Sequence, residues 1–340
     1  MWLRLLISAG LMAVLLGFMV DLPAAWQAMA HSRWEYFAWL AVWITLDRLV
    51  MTYKWRLLLL CRGLNIGMWE SLKAYYIASF AGCFLPSTVG ADAMRIAAVS
   101  GPERPSDLVA ASVVLERALG FLAAALAAGL ALVLLAGLKV DLPRRVLWLS
   151  LAALAVAGLA VVASLSGWLG TWLERLVERS ASRGKVLSWI ARFLKAYNDY
   201  RRHRGTLMVF LILSVAEQSV PVVGTWLTAL AFQVDLSLLQ ATAIAPLAHL
   251  FMRIPVSVSG FGVAEGLYVA FFSLLGLKPT DSFMLGLVAN LSIVVTTAPG
   301  AFFYARGGFR ARQPSLAEAK GASGQTSVSP PPEDQSTSGG

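Results

Sequence analysis

The chain has 340 residues, of which 58% are apolar and only 14% charged, and its mean hydropathy is +0.69. A soluble domain carries about a quarter charged residues and cannot bury so much apolar surface at this length, so soluble globular and disordered classes are excluded. The net charge of +9 sits in loops beside apolar runs, which points to membrane orientation and anionic lipid rather than to nucleic acid.

The apolar runs are continuous, not alternating, which excludes a transmembrane β-barrel. The expected class is an all-α polytopic membrane protein. The first run, Leu3 to Leu22, reads as an uncleaved helix with a cytoplasmic N-terminus, although Ala28-Met29-Ala30 behind it looks like a signal-peptidase site. The second run extends from about Tyr36 to Leu60. Lys54, Arg56, Arg62 and Lys73 flank or follow its far end and place that end in the cytoplasm.

Ala74 to Leu85 is too short to span, since spanning takes about 20 residues, and it breaks at Leu85-Pro86-Ser87-Thr88-Val89-Gly90. Apolar helices are expected at Leu108 to Leu135 and Val146 to Leu165. Gly167 to Gly205 is rich in arginine and lysine. Its apolar residues (Leu169, Trp172, Leu173, Leu176, then Val186, Trp189, Ile190, Phe193, Tyr197) recur at helical spacing, as in amphipathic helices lying on the cytoplasmic leaflet; a plain connecting loop is the alternative. Leu207 to Phe232 spans outward. Leu236 to Leu277 is interrupted at Pro255 and around Gly260 and Gly262. Phe283 to Tyr304 is the last span, and Arg306, Arg310 and Arg312 hold its end inside.

Parity then places both ends of Ala74 to Asp107 inside, and both ends of Leu236 to Lys278 outside. This gives about six full spans plus two broken or re-entrant segments, or eight spans. The breaks resemble each other (Pro86-Ser87-Thr88-Val89-Gly90 and Pro255-Val256-Ser257-Val258-Ser259-Gly260), as an inverted repeat would produce; two unrelated helix breaks are the alternative. On this reading residues 1–166 and 207–304 are the halves, 167–206 is the amphipathic connection, and 305–340 is a disordered cytoplasmic tail.

Ionisable groups at membrane depth cost roughly 2.5–3.5 kcal/mol each and are paired or functional. Glu116 and Arg117 lie about 12 Å into their helix and cannot face each other, so each needs its own partner, another helix or a ligand. Asp92 and Arg95, spaced i, i+3, either pair together or help a half-helix starting near Gly90 to hold an anion. His249 and Arg253, spaced i, i+4, share one face just before the second break. Glu265 follows Gly262 much as Asp92 follows Gly90, and Glu217 lies in the middle of its span. Arg48 reads as a snorkelling side chain and Asp47 as a weak candidate.

The candidate substrate-binding set is Arg95, Arg117 and Arg253 with the break residues Pro86, Gly90, Gly260 and Gly262. Asp92, Glu116, Glu217, Glu265 and His249 are the candidates for ion pairing or coupling. No catalytic or metal-binding motif is found, and no cofactor is expected.

These residues carry a resemblance. Lys54-Trp55-Arg56-Leu57-Leu58-Leu59, Leu85-Pro86-Ser87-Thr88-Val89-Gly90-Ala91-Asp92-Ala93-Met94-Arg95, Leu115-Glu116-Arg117 and Pro255 through Glu265 resemble the lysylphosphatidylglycerol synthase transmembrane-region family, over roughly Leu3 to Tyr304. The resemblance implies a lipid-handling membrane domain. In the best-known members a similar domain moves an aminoacylated phospholipid between leaflets, and a separate cytoplasmic domain makes that lipid. Only a short polar tail follows Tyr304 here, so lipid aminoacylation by this chain is not expected. Other members accompany polyprenyl-linked glycan or hopanoid pathways. The function expected is an inner-membrane lipid transporter or flippase-like protein with both termini cytoplasmic. Its expected partners are membrane lipids of anionic character and envelope-biosynthesis enzymes. The rival readings are a membrane transferase using Glu116 or Asp92 as general base, a scaffold, or a small-solute carrier.

Overall fold

The computed structural model describes residues 9–84, 88–138, 185–253 and 260–308, with scattered positions between 144 and 177. Pro86, most of the expected helix Val146 to Leu165, most of 167–184, Pro255 to Ser259 and the tail from 309 onward lie outside the described residues. Among the described residues the chain is helical and contains no β-strand.

The first apolar run is two helices, not one: α1 (Ala9–Met19) and α2 (Leu22–Ala30) meet at 91°. The break has a local cause. Pro23 lacks a backbone N–H and ends the preceding helix, and the Asp21 carboxylate caps the new one by accepting from the Ala24 N–H at 3.1 Å. Helix α3 (Trp34–Leu60) follows; its 27 residues are about 40 Å long, but it carries Asp47, Arg48, Lys54 and Arg56. Then come α4 (Met68–Phe84), longer than its apolar stretch suggests, α5 (Thr88–Val99) and α6 (Ser106–Gly137). The later elements are α7 (Lys185–Asp199), α8 (Arg204–Glu217), α9 (Ser219–Ala231), α10 (Leu238–Met252), α11 (Val263–Phe272) and α12 (Pro279–Phe303). A π-helical turn, Tyr304–Gly308, carries the last helix past the expected end at Tyr304.

Among the described residues, three segments are long and apolar enough to cross a membrane: Ser106–Gly137, Arg204–Ala231 and Pro279–Arg306, with the bent α1–α2 pair as a fourth. All three keep apolar side chains on their outer faces, among them Val133, Ile212 and Val295. An outward apolar surface of this kind is stable only against lipid. The protein is an all-α, multi-pass membrane protein.

Packing follows from small residues. Ala124, Ala128 and Ala131 on α6 are buried with Ala241, Ala245 and Ala248 of α10, which lets the two backbones approach closely. Helix α4 packs against α5, and α10 packs against α11. Gly82 of α4 sits so close to Ala91 of α5 that a Cβ there would lie 2.8 Å from the Ala91 Cβ. Helix α12 crosses α4 at Gly300, where a Cβ would overlap the Tyr76 carbonyl oxygen and come within 2.6 Å of the Phe80 Cβ.

Helix α7 covers the second part of the amphipathic stretch, and its described apolar side chains pack against other helices. Ala196 is buried in a cluster with Leu58, Leu115, Leu119, Tyr200 and Phe210, and Phe193 and Tyr197 pack against that cluster. The Trp189 indole N–H donates to Ser106 Oγ at 3.1 Å, and Arg62 pairs with Asp199 at 3.1 Å. The amphipathic period is real, but the apolar partner is the start of α6 and the end of α3.

Candidate functional site

Among the described residues, two adjoining cavities share part of their lining. The first, of about 270 Å³, is lined by α3, α4, α5, α6, the end of α8 and Arg253 at the end of α10. Its charged lining is Arg48, Lys54, Asp92, Arg95, Glu116, Arg117, Glu217 and Arg253, five cations against three carboxylates. The second, of about 230 Å³, is lined by α3, α9, α10, α11 and α12 and includes Asp47, Thr225, His249 and Tyr268. Arg48, Met51, Glu217 and Arg253 line both.

The charges of the first cavity are ordered by the helices that carry them. Arg95 of α5 is 5% exposed, and its Nη2 meets Glu116 Oε2 of α6 at 2.6 Å. It also lies 3.6 Å from Asp92 Oδ1, one turn back. Its guanidinium caps the Trp55 and Tyr75 rings, 4.7 Å from each centroid. The Tyr75 hydroxyl donates to the other Glu116 oxygen at 3.0 Å, and the Trp55 indole N–H donates to Ser112 Oγ at 3.0 Å. Asp92 also accepts from Arg117 Nε. The neighbours Glu116 and Arg117 thus have different partners, as helical geometry requires, and Asp92 and Arg95 belong to one network linking α5 to α6.

A second ion pair ties distant parts of the chain together. Lys54 Nζ of α3 contacts Glu217 at the end of α8, bonds Ser214 Oγ at 3.0 Å, and lies 4.9 Å over the Phe210 ring. Lys54 is 3% exposed, so it is not the cytoplasmic flanking charge that its position at the end of an apolar run suggests. Arg48 likewise lines both cavities and does not snorkel. Both are cations inside a long apolar helix, and a run read by its ends gives no sign that they are buried within the assembly.

The structure places other sequence candidates elsewhere. Gly90 belongs to α5, one residue before the cavity-lining Ala91. His249 lines the second cavity only, with its ring edge-on to Tyr268 at 6.4 Å. Glu265, Gly260 and Gly262 line neither cavity. Gly260 and Gly262 adopt φ of +84° and +82°, a region glycine occupies without strain, and turn the chain into α11. Glu265 is fully buried and reaches back to accept from the Gly262 N–H at 2.7 Å, with Asn290 Nδ2 3.4 Å away. This is a helix cap. Asn290 was not singled out from the sequence, where a lone amide in an apolar helix carries little signal.

The sequence model of the lysylphosphatidylglycerol synthase TM region matches residues 1–300. The chain belongs to this family. No curated protein and no solved structure showed significant similarity to it. Family membership associates the chain with lipid biosynthesis or transport. Its charged core, linking α3, α5, α6 and α8, falls wholly within the matched residues.

Proposed function

We propose that this protein is a flippase-like lipid transporter that moves an anionic or lipid-linked head group between the leaflets of a bacterial-type inner membrane. One observation carries the reading. Eight charged side chains converge on a cavity between apolar helices, with two more cations than carboxylates. Such a site is costly to keep in a membrane protein and stabilises a negative head group that enters it. The three carboxylates of the first cavity are each engaged by a cation, Asp92 by Arg117, Glu116 by Arg95 and Glu217 by Lys54. None of them stands as a free general base, which favours relocation of a lipid over chemistry on it.

The helix pairs α4–α5 and α10–α11 are the broken segments of an inverted repeat in this reading, entering from opposite faces, and rocking of the halves exposes the site alternately. Both termini are cytoplasmic. Envelope-biosynthesis enzymes supply or consume the lipid.

The test is reconstitution of the purified protein in liposomes with leaflet-specific labelling. Exchange of phosphatidylglycerol faster than phosphatidylcholine, and faster than in protein-free vesicles, is the expected result. Exchange of both lipids at the protein-free rate would overturn the reading.

A further inference from the structure

The cavity cations are not equivalent. Lys54, Arg95 and Arg117 each meet a carboxylate. Arg48 and Arg253, among the described residues, make no ion pair. Arg48 Nη1 faces only the Met51 sulfur, at 3.9 Å, and its Nε is buried without a partner. A thioether is a weak acceptor and does not satisfy a guanidinium. Arg253 lies just beyond α10, with its guanidinium 5.4 Å above the Phe121 ring centroid. Gly120, one turn along α6 from Glu116, leaves its space open: a Cβ there would come no nearer than 3.9 Å to Arg253 Nη1.

Both arginines line both cavities, so they stand on the wall the cavities share. The excess of two cations in the first cavity equals these two side chains. We infer that Arg48 and Arg253 form the phosphate-binding pair of this protein, and that Arg95 and Arg117 are positioning residues already neutralised by Glu116 and Asp92. The inference rests on the reading that the cavity receives a head group, and it names the chemistry recognised: a phosphate oxyanion, held by two planar guanidinium forks. Sequence reasoning places Arg253 in the binding set but gives Arg48 to the membrane interface. The geometry moves Arg48 into the site and takes Arg95 and Arg117 out of direct contact.

The test is native mass spectrometry of the full chain in detergent, titrated with dioleoyl-phosphatidylglycerol and with dioleoylglycerol, which lacks the phosphate. A parallel arm offers inorganic phosphate alone and as a competitor. The expected result is preferential binding of the phospholipid, weakened about tenfold by Arg48→Gln or Arg253→Gln and abolished in the double variant. Arg104→Gln, which breaks an outlying pair with Glu70, leaves binding unchanged. Arg48→Lys and Arg253→Lys, which keep the charge but not the fork, give intermediate affinity and guard against misfolding. Binding of inorganic phosphate alone, with the same dependence on the two arginines, upholds the pair and assigns it a soluble anion. Equal wild-type affinity for both lipids without phosphate binding overturns the inference, as does wild-type affinity in the double variant. Leaflet exchange separates this from the transport reading. Exchange that persists in the double variant removes the inference and leaves transport standing. Binding that needs both arginines, without exchange, does the reverse.

Discussion

Lys54 and Glu217, 163 residues apart in the chain, form a buried ion pair that joins the C-terminal part of α3 to the end of α8. Ser214 and the Phe210 ring complete the ammonium's surroundings. Removing either partner strands the other charge at low dielectric. Lys54→Met and Glu217→Gln should therefore each destabilise the protein by about 3–5 kcal/mol. The double variant should recover much of that loss. Unfolding in graded sodium dodecyl sulfate measures all three; a double variant that loses the sum of the singles would show that the pair is not coupled.

Arg95 and Glu116 should respond unequally. Arg95→Gln leaves a 9%-exposed Glu116 supported only by the Tyr75 hydroxyl and removes a cation from two ring faces. Glu116→Gln leaves Arg95 its rings and Asp92. The first should cost about 3 kcal/mol and the second roughly half of that. The same unfolding titration checks the order.

Gly300 marks the α4–α12 crossing. Gly300→Val pushes a branched side chain into the Tyr76 backbone and should cost about 1–3 kcal/mol or more. Gly129→Ala, with no atom within 4 Å of the new methyl, should be neutral or stabilise by up to about 1 kcal/mol through helix propensity. Thermal midpoints of the two purified variants make the comparison.

Glu265→Ala leaves the buried Gly262 N–H without its acceptor and should cost about 1–2 kcal/mol. Glu265→Gln, which keeps a carbonyl oxygen at the cap, should cost less. Faster hydrogen exchange confined to the first turn of α11 is the expected signature.

Much of the architecture is legible in the residues. Continuous apolar runs specify membrane helices, and ionisable residues inside them mark the positions that need partners. Asp92, Arg95, Glu116, Arg117, Glu217 and Arg253 all stand out this way, and the structure sets all six around one cavity. Partner identity was not legible, because it depends on which helices touch. Arg95 finds Glu116 only when α5 packs on α6, and Lys54 finds Glu217 only when α3 packs on α8. Run-based reading also assigns a charge near the end of a run to the water, which misplaces Lys54 and Arg48. The break at Asp21 and Pro23 shows the opposite failure: hydropathy averages over a cap and a proline that redirect the chain by 91°. Glu265 illustrates a third, since a buried acid just after a glycine turn serves as a helix cap as readily as a coupling site.

The most direct measurement closes the cavity without touching a charge. Gly120→Trp projects an indole toward Arg253 into the first cavity. Its effect on leaflet exchange of labelled phosphatidylglycerol would be read in proteoliposomes by quenching of the outer leaflet. Rapid exchange is expected with the wild-type protein, and exchange at the rate of protein-free vesicles with a folded Gly120→Trp variant. Exchange through Gly120→Trp at the wild-type rate, or no exchange by the wild-type protein, would contradict transport through this cavity.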